Sequence, residues 1–286
     1  MKNHHNNYLL LLALATIFIS TSGALGKYIE LPTPIIIWFR SALAALFLYI
    51  FCRYKKFSFK IRSKRDVPSL LLSSLLLGTH WVTYFYALKL SNVAIGMLSM
   101  FTFPVITALL EPLFTKSKFN PIHILLALFV LLGIYILAPE FNFKSTYVKG
   151  ILFGVFSALC YAIRNLILKR HVHVYNGTVL MMMQSLVVSL ALLPVLFSMD
   201  TSNIQSQLPY LLLLGLVTTA IGHSLFITSL KYFSVSTASI IGSAQPICGI
   251  VIAFIFLNEV PTLNTFIGGT LIMVTVVIEG VRSKKA

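Results

Sequence analysis

Acidic residues are scarce in this chain. Only seven of its 286 residues are Asp or Glu, against 22 Lys and Arg, and charged residues of both signs make up 10%. No polar stretch is long enough to fold as a separate soluble domain, so binding or chemistry has to take place among the apolar segments. Cysteine is also rare: Cys52, Cys160 and Cys248 lie in or at the edge of three different apolar runs. They form no CxxC pair and have no metal-ligand spacing, which argues for packing and against a disulfide framework or a metal site. HExxH, a Walker A loop, GxSxG and an aspartate pair in a loop are all missing. Hydrolytic, phosphoryl-transfer and sugar-transfer chemistry therefore lack their usual residues, and nothing calls for a cofactor. The formal net charge of +15 does not imply nucleic acid, because the basic residues flank apolar runs and do not alternate with aromatics on a surface.

What the chain has in abundance is hydrophobicity: 58% apolar residues and a mean hydropathy of +0.91. Ten apolar stretches follow one another, at 8–26, 34–52, 67–88, 93–115, 120–139, 150–168, 177–199, 208–230, 235–257 and 262–281. A helix needs about twenty apolar residues to cross a hydrocarbon core roughly 30 Å thick. The pattern predicts an all-α polytopic membrane protein with ten transmembrane helices in a lipid bilayer. The first stretch, with Lys2 before it and a small-residue patch at Ser20–Ala24, also looks like a cleavable signal peptide. Its counterpart in the second half of the chain assigns it to the fold instead.

Orientation follows from the distribution of Lys and Arg. With a cytoplasmic N-terminus, sixteen basic residues fall in inside connections, seven of them between Arg53 and Arg65, and only Lys27, Lys89, Lys144 and Lys149 fall outside. Both termini are thus expected in the cytoplasm, in a bacterial-type inner membrane. The Asn176-Gly177-Thr178 sequon then faces inward, where a helix-starting turn is the better reading than a glycan site.

Sliding the chain on itself by 142 residues aligns spans, joints and mid-span prolines: Lys27 on Lys169, Leu88 on Leu230, Lys89 on Lys231, Val93 on Val235 and Pro104 on Pro246. Identities are few, four in the eighteen positions 87–104, but the register holds. Two repeats result, 1–142 and 143–286. Each has five spans, an odd number, so the second enters the membrane from the opposite side. Inverted-topology halves are a mark of secondary transporters, whose near-symmetric scaffold opens a central site to each side in turn.

Two tandem five-helix units, each with a short basic or polar joint and a mid-helix proline in its fourth span, resemble the EamA-type transporters of the drug/metabolite transporter superfamily. The resemblance is carried by Ala87–Pro104, by Ser229–Pro246, by Phe256-Leu257-Asn258-Glu259 and by Gly268-Gly269. Ser117 stands where the first repeat would match Glu259, so the family's acid is present once. The resemblance implies a carrier for a small-molecule solute such as an amino acid or drug-like metabolite, more often an exporter than an uptake permease. It also implies a central cavity formed by spans one, three, four, six, eight and nine, leaving span two peripheral or gating. An intramembrane lipid-modifying enzyme is the reading from another class.

Ionisable groups inside spans cost about 2.5–3.5 kcal/mol on insertion scales, so each needs a partner or a wet cavity. Arg40 sits roughly 9 Å deep at 1.5 Å per residue, placed to snorkel or to act as counter-ion to an anionic or zwitterionic solute. Glu111 and Arg164 share a depth near the cytoplasmic side. They are expected to pair and close the inner mouth, or else to snorkel separately. Tyr161, Arg164 and Asn165 share one face of span six, and His80, Trp81 and Tyr84 one face of span three; plain aromatic packing explains Trp81 and Tyr84 equally well. His80 and His223, the latter within one position of the two-fold mate of Trp81, are candidate proton carriers, with a neutral core role as the alternative. Pro104 and Pro246 free the carbonyls four residues before them and mark hinges. Gln245 and Gln184 are the best polar donors of spans nine and seven.

The candidate solute-binding residues are thus His80, Trp81, Tyr84, Tyr161, Asn165 and Gln245. Gating or coupling is assigned to Arg40, Glu111, Arg164 and His223; protons are the coupling ion considered, with Glu111 ranked first, and facilitated diffusion is the alternative. The hinges are Pro104 and Pro246.

Overall fold

The computed structural model describes residues 2–114, 121–137, 142, 144–233 and 235–283, and among them only helices and connections occur. In chain order these are α1 (Lys2–Tyr28), α2 (Thr33–Tyr54), a 3-10 turn (Lys64–Asp66), α3 (Val67–Leu90), α4 (Val93–Met100), α5 (Phe103–Phe114), α6 (Ile122–Leu137), α7 (Thr146–His171), α8 (Gly177–Ala191) and α9 (Val195–Ser198). Then follow α10 (Ile204–Leu213), a π-helical stretch (Leu214–His223), α11 (Ser224–Ser229), α12 (Val235–Gly242), α13 (Ala244–Leu257) and α14 (Leu263–Ser283). Local chemistry sets their starts. Prolines stand in the first turn of α2 and α3, where a missing N–H costs nothing. Asn92 caps α4 by accepting from the Ile95 amide at 2.8 Å, and Asn176 caps α8 by accepting from the Thr178 amide at 2.9 Å. The Asn-Gly-Thr sequence is therefore a helix start, as read from the sequence.

Over the described residues, each predicted span falls on a helix or on consecutive helical pieces. Among the described residues, six helical segments are both long and apolar enough to cross a membrane: Tyr8–Tyr28, Thr33–Tyr54, Val93–Phe114, Thr146–His171, Gly177–Ser198 and Ile204–Ser229. Apolar helices Ile122–Leu137, Ala244–Leu257 and 263–278 are shorter. α3 has the length, 24 residues, but its serines, His80 and Trp81 dilute the apolar run. The spans containing Pro104 and Pro246 are broken: α4 ends at Met100 and α5 begins at Phe103, while α12 ends at Gly242 and α13 begins at Ala244. In an unbroken helix each proline would have to donate across that break, and it has no N–H to give.

Packing obeys the 142-residue shift. α2 lies on its mate α8 and α6 on its mate α14, while the long α3–α7 contact is repeated where the π-helical stretch and α11 lie on α1. Lys27 Nζ donates to the carbonyls of Leu88 (3.1 Å) and Ser91 (2.8 Å), closing the end of α3. Lys169 does the same to Leu230 (2.7 Å) and Phe233 (2.8 Å). Each lysine of one set is 142 residues from its equivalent in the other, as are the carbonyls. A cation on the last carbonyls of a helix is favourable for the helix dipole as well. The two caps lie at opposite ends of the bundle, since Lys169 is next to His171, whose Nε2 meets Ser69 Oγ at the start of α3 (2.8 Å). This is the inverted arrangement in atomic form.

The connections sort into two groups by contact. Tyr175 Oη donates to Asp66 (2.5 Å) and accepts from the Arg62 amide (3.1 Å), tying 53–66 to 172–176; the bond to Asp66 raises the Tyr175 pKa. Arg170 bonds the Phe114 carbonyl on the same side. At the other end Lys89 bonds the Leu31 carbonyl (2.5 Å), and Glu259 accepts from the Val93 amide (2.8 Å). Glu259 therefore caps a helix of the other repeat, and Asn258 turns the chain toward it with φ 54°. Ser117, its expected mate, lies outside the described residues.

Candidate functional site

Residues from seven segments meet around a narrow cavity of about 20 Å³, room for roughly one water. Its wall is Ile19 and Ser22 of α1, Arg40 of α2, His80, Trp81 and Tyr84 of α3, Met100 and Phe101 at the α4 break, Tyr161 of α7, His223 at the end of the π stretch, and Gln245 of α13. Both repeats contribute. Five of the six expected solute-binding residues line it, along with Arg40 and His223.

Of the two placements expected of Arg40, snorkelling or facing the solute path, it adopts the inward one. It does not snorkel, and span two is not peripheral: the side chain is 1% exposed and turned into the bundle. Its Nε donates to Thr219 Oγ1 (2.7 Å), Nη1 to Ser22 Oγ (3.4 Å) and Nη2 to His223 Nε2 (3.0 Å). The guanidinium carbon sits 4.2 Å from the centre of the Trp81 ring, a cation–π distance. Trp81 and His223 are exact mates under the 142 shift, and their rings stand 5.6 Å apart.

The π-helical stretch supplies two of Arg40's three partners, Thr219 and His223, from the second repeat. Thr219 Oγ1 donates to the Leu214 carbonyl five residues back (2.8 Å), which satisfies a carbonyl in π register. Such stretches are rare and gather at functional sites. Gly215 and Gly222 allow the close approach: an added Cβ would lie 2.8 Å from Leu43 Cβ and 2.9 Å from Ile19 Cγ1 respectively. Hydropathy alone does not mark this stretch. Its two glycines, with Thr218 and Thr219 inside an apolar run, are the available signal.

Hydrogen bonding settles the imidazole tautomers. Ser157 Oγ donates to the His80 carbonyl (2.9 Å), so its bond to His80 Nδ1 (2.7 Å) is one that it accepts, and the His80 proton is on Nδ1. Arginine only donates, so His223 Nε2 accepts and the neutral ring carries its proton on Nδ1. His80 stacks on Tyr161 with centroids 4.5 Å apart.

One layer away, Arg164 and Asn165 share a second polar cluster and do not line the cavity. Arg164 Nη1 donates to Asn165 Oδ1 (2.9 Å) and Nη2 to Gln184 Oε1 (2.5 Å), while Gln184 Nε2 donates to Ser73 Oγ (2.9 Å). The expected Arg164–Glu111 pair is not formed. Glu111 is half-buried on α5 and interacts electrostatically with Lys169, while the Arg164 guanidinium meets Asn165 and Gln184. Glu111 thereby loses the basis on which it was ranked first for coupling.

A profile of the EamA-like transporter family matches residues 6–138 and again 148–279, two repeats that cover nearly the whole chain. The chain belongs to the EamA-like transporter family. Similar proteins include the pseudopaline exporter CntI of Pseudomonas aeruginosa, found in two strains, at 29% identity over 275 residues and 93% of each chain. An uncharacterized transporter of Archaeoglobus fulgidus is 29% identical over 197 residues, 68% of this chain and 70% of its own. A solved crystal structure superimposes with a TM-score of 0.72 at 18% identity over 98% of both chains, a likeness of fold. As an EamA-like protein this is a multi-pass membrane transporter, and the cavity between its two repeats is its candidate solute site.

Proposed function

We propose that this EamA-like protein exports a small organic metabolite across a bacterial inner membrane, by alternating access to the cavity around Arg40, Trp81 and His223. The observation that carries the reading is the make-up of the cavity wall: residues from both inverted repeats converge on one narrow, polar-lined space. A near-symmetric scaffold has two near-equivalent tilts, and a site at the shared interface can open to either side. Export is the direction because the relatives named for a direction are exporters. On this reading the chain crosses ten times, α3 and the three shorter apolar helices included, and the breaks before Pro104 and Pro246 act as hinges. Protons couple through His223, whose acceptor nitrogen faces Arg40.

Purified protein in liposomes tests the class. Counterflow of a labelled solute without chemical change is the expected result, and Tyr161→Ala and Gln245→Ala should each reduce its affinity or rate. Conversion of a lipid substrate with no solute flux would replace the carrier with an enzyme. Two inert variants would move the site away from this cavity.

Topology has its own test. In a cysteine-free background, an impermeant thiol reagent should label a cysteine at Ser145 in intact cells and spare one at Ser58, in the basic 53–66 connection. The reverse pattern would invert the orientation.

A further inference from the structure

At the centre of this bundle the buried nitrogens left without a partner are all donors, and the hydroxyls of Ser185 and Ser224 are unpartnered beside them. Trp81 Nε1 and Arg164 Nε are buried and meet no acceptor in the protein, and Asn165 Nδ2, also buried, makes no well-formed hydrogen bond, with the Tyr161 hydroxyl its neighbour. His223 Nδ1 is likewise unpartnered, and the tautomer set by Arg40 makes it a donor too. All four are N–H groups. Arg40 has five N–H groups, and three of them engage only neutral partners. Among the described residues no carboxylate meets either guanidinium, although Arg40 and Arg164 are 1% and 0% exposed. Buried donors without acceptors are costly, and a buried cation without a counter-charge more so.

The surplus falls in two places. Arg40, Trp81 Nε1 and His223 Nδ1 cluster on the cavity wall, with the guanidinium 4.2 Å from the indole ring and the indole 5.6 Å from the imidazole. Arg164 Nε and Asn165 Nδ2 form the other place. Tyr161 lies between them, lining the cavity on one side and sitting 5.8 Å from the Arg164 guanidinium on the other. We infer that the solute carried by this transporter is a small organic dianion, one carboxylate taken by Arg40, Trp81 and His223 and the second drawn toward Arg164 and Asn165 past Tyr161. A guanidinium fork matches a carboxylate edge-on, and the indole and imidazole N–H groups fill its remaining lone pairs. The inference rests on the transporter reading above and names its substrate class.

The chain has two tryptophans, Trp38 and Trp81, so Trp38→Phe leaves a single tryptophan, excited selectively over the tyrosines at the red edge of its absorption, inside the site. That protein, in nanodiscs, is titrated with succinate and glutarate, with butyrate, with inorganic phosphate and with putrescine. The expected result is a saturable change in Trp81 emission with the dicarboxylates, at affinities about tenfold or more above butyrate, a gap of about 1.4 kcal/mol, and no response to putrescine. Arg40→Gln should abolish the response and Arg40→Lys, which keeps the charge without the fork, should weaken it. Arg164→Gln should retain binding but erase the gap between two acid groups and one. Equal affinity for butyrate and glutarate in the parent overturns the dianion, tighter binding of phosphate replaces it with an inorganic oxyanion, and a response to putrescine or an unaffected Arg40→Gln overturns the anion site altogether. The liposome assay separates the two proposals. Flux confined to solutes without acid groups defeats the dianion and leaves the transporter standing, while dicarboxylate binding with no flux of any solute defeats the transporter alone.

Discussion

Replacing His223 with glutamine is expected to make accumulation insensitive to a pH gradient while solute exchange continues. The His223 ring accepts from Arg40 at 3.0 Å and is also within electrostatic reach of Arg164 and His80; no carboxylate of the described residues faces it. A second proton on Nε2 would set donor against donor and cation against cation, so protonation requires Arg40 to leave. Anything that engages Arg40 elsewhere, a solute anion above all, therefore changes the proton affinity of His223, and by linkage the proton changes the affinity for the solute. With one proton per solute, a gradient of one pH unit is worth about 1.4 kcal/mol, or tenfold in the accumulation ratio. Glutamine keeps an acceptor for Arg40 and a donor beside it, but does not titrate. In proteoliposomes the ratio should fall from a pH-dependent value to one that a gradient of either sign leaves unchanged. A pH-driven ratio that survives in the variant would move coupling to another group.

The second large effect is on stability. Gln184→Leu keeps nearly the same volume but removes the acceptor of Arg164 and the donor to Ser73. The guanidinium stays buried with Asn165 as its remaining oxygen partner. A hydrogen bond to a charged group contributes about 1.5–3 kcal/mol, and the stranded charge adds to the loss, so unfolding in mixed micelles should show destabilisation of about 2–4 kcal/mol. Adding Arg164→Met should recover most of it, because a well-packed apolar pair replaces a polar one at little net cost. Were the double variant no better than the single, the network would owe its stability to packing and not to the guanidinium's acceptors.

Much of this was legible along the chain. Apolar runs of crossing length became helices, Asn176 started one, Pro104 and Pro246 interrupted two, and Lys27 and Lys169 repeated at 142 residues became equivalent caps. Helical spacing also put His80, Trp81 and Tyr84 on one face, and that face lines the cavity. The same spacing put Tyr161, Arg164 and Asn165 on one buried face, but that strip of α7 borders two neighbours: Tyr161 meets the cavity and Arg164 meets Gln184 of α8. Equal depth suggested Glu111 for Arg164, but depth carries no information about the angle around the helix. Arg40 was assigned a position but not a direction.

Hydropathy and charge are sums over neighbouring residues, so the spans, the repeat and the imbalance between basic and acidic residues were determined by the sequence itself. Which polar groups meet is a matter of helix phase and tilt, which packing alone sets. The bond between Arg40 and His223 joins residues 183 apart in the chain, through a π-helical stretch whose register follows from a threonine holding a carbonyl five residues back and from two glycines that let α1 and α2 come close. No local pattern encodes that contact, because its geometry exists only once the two repeats have closed on each other.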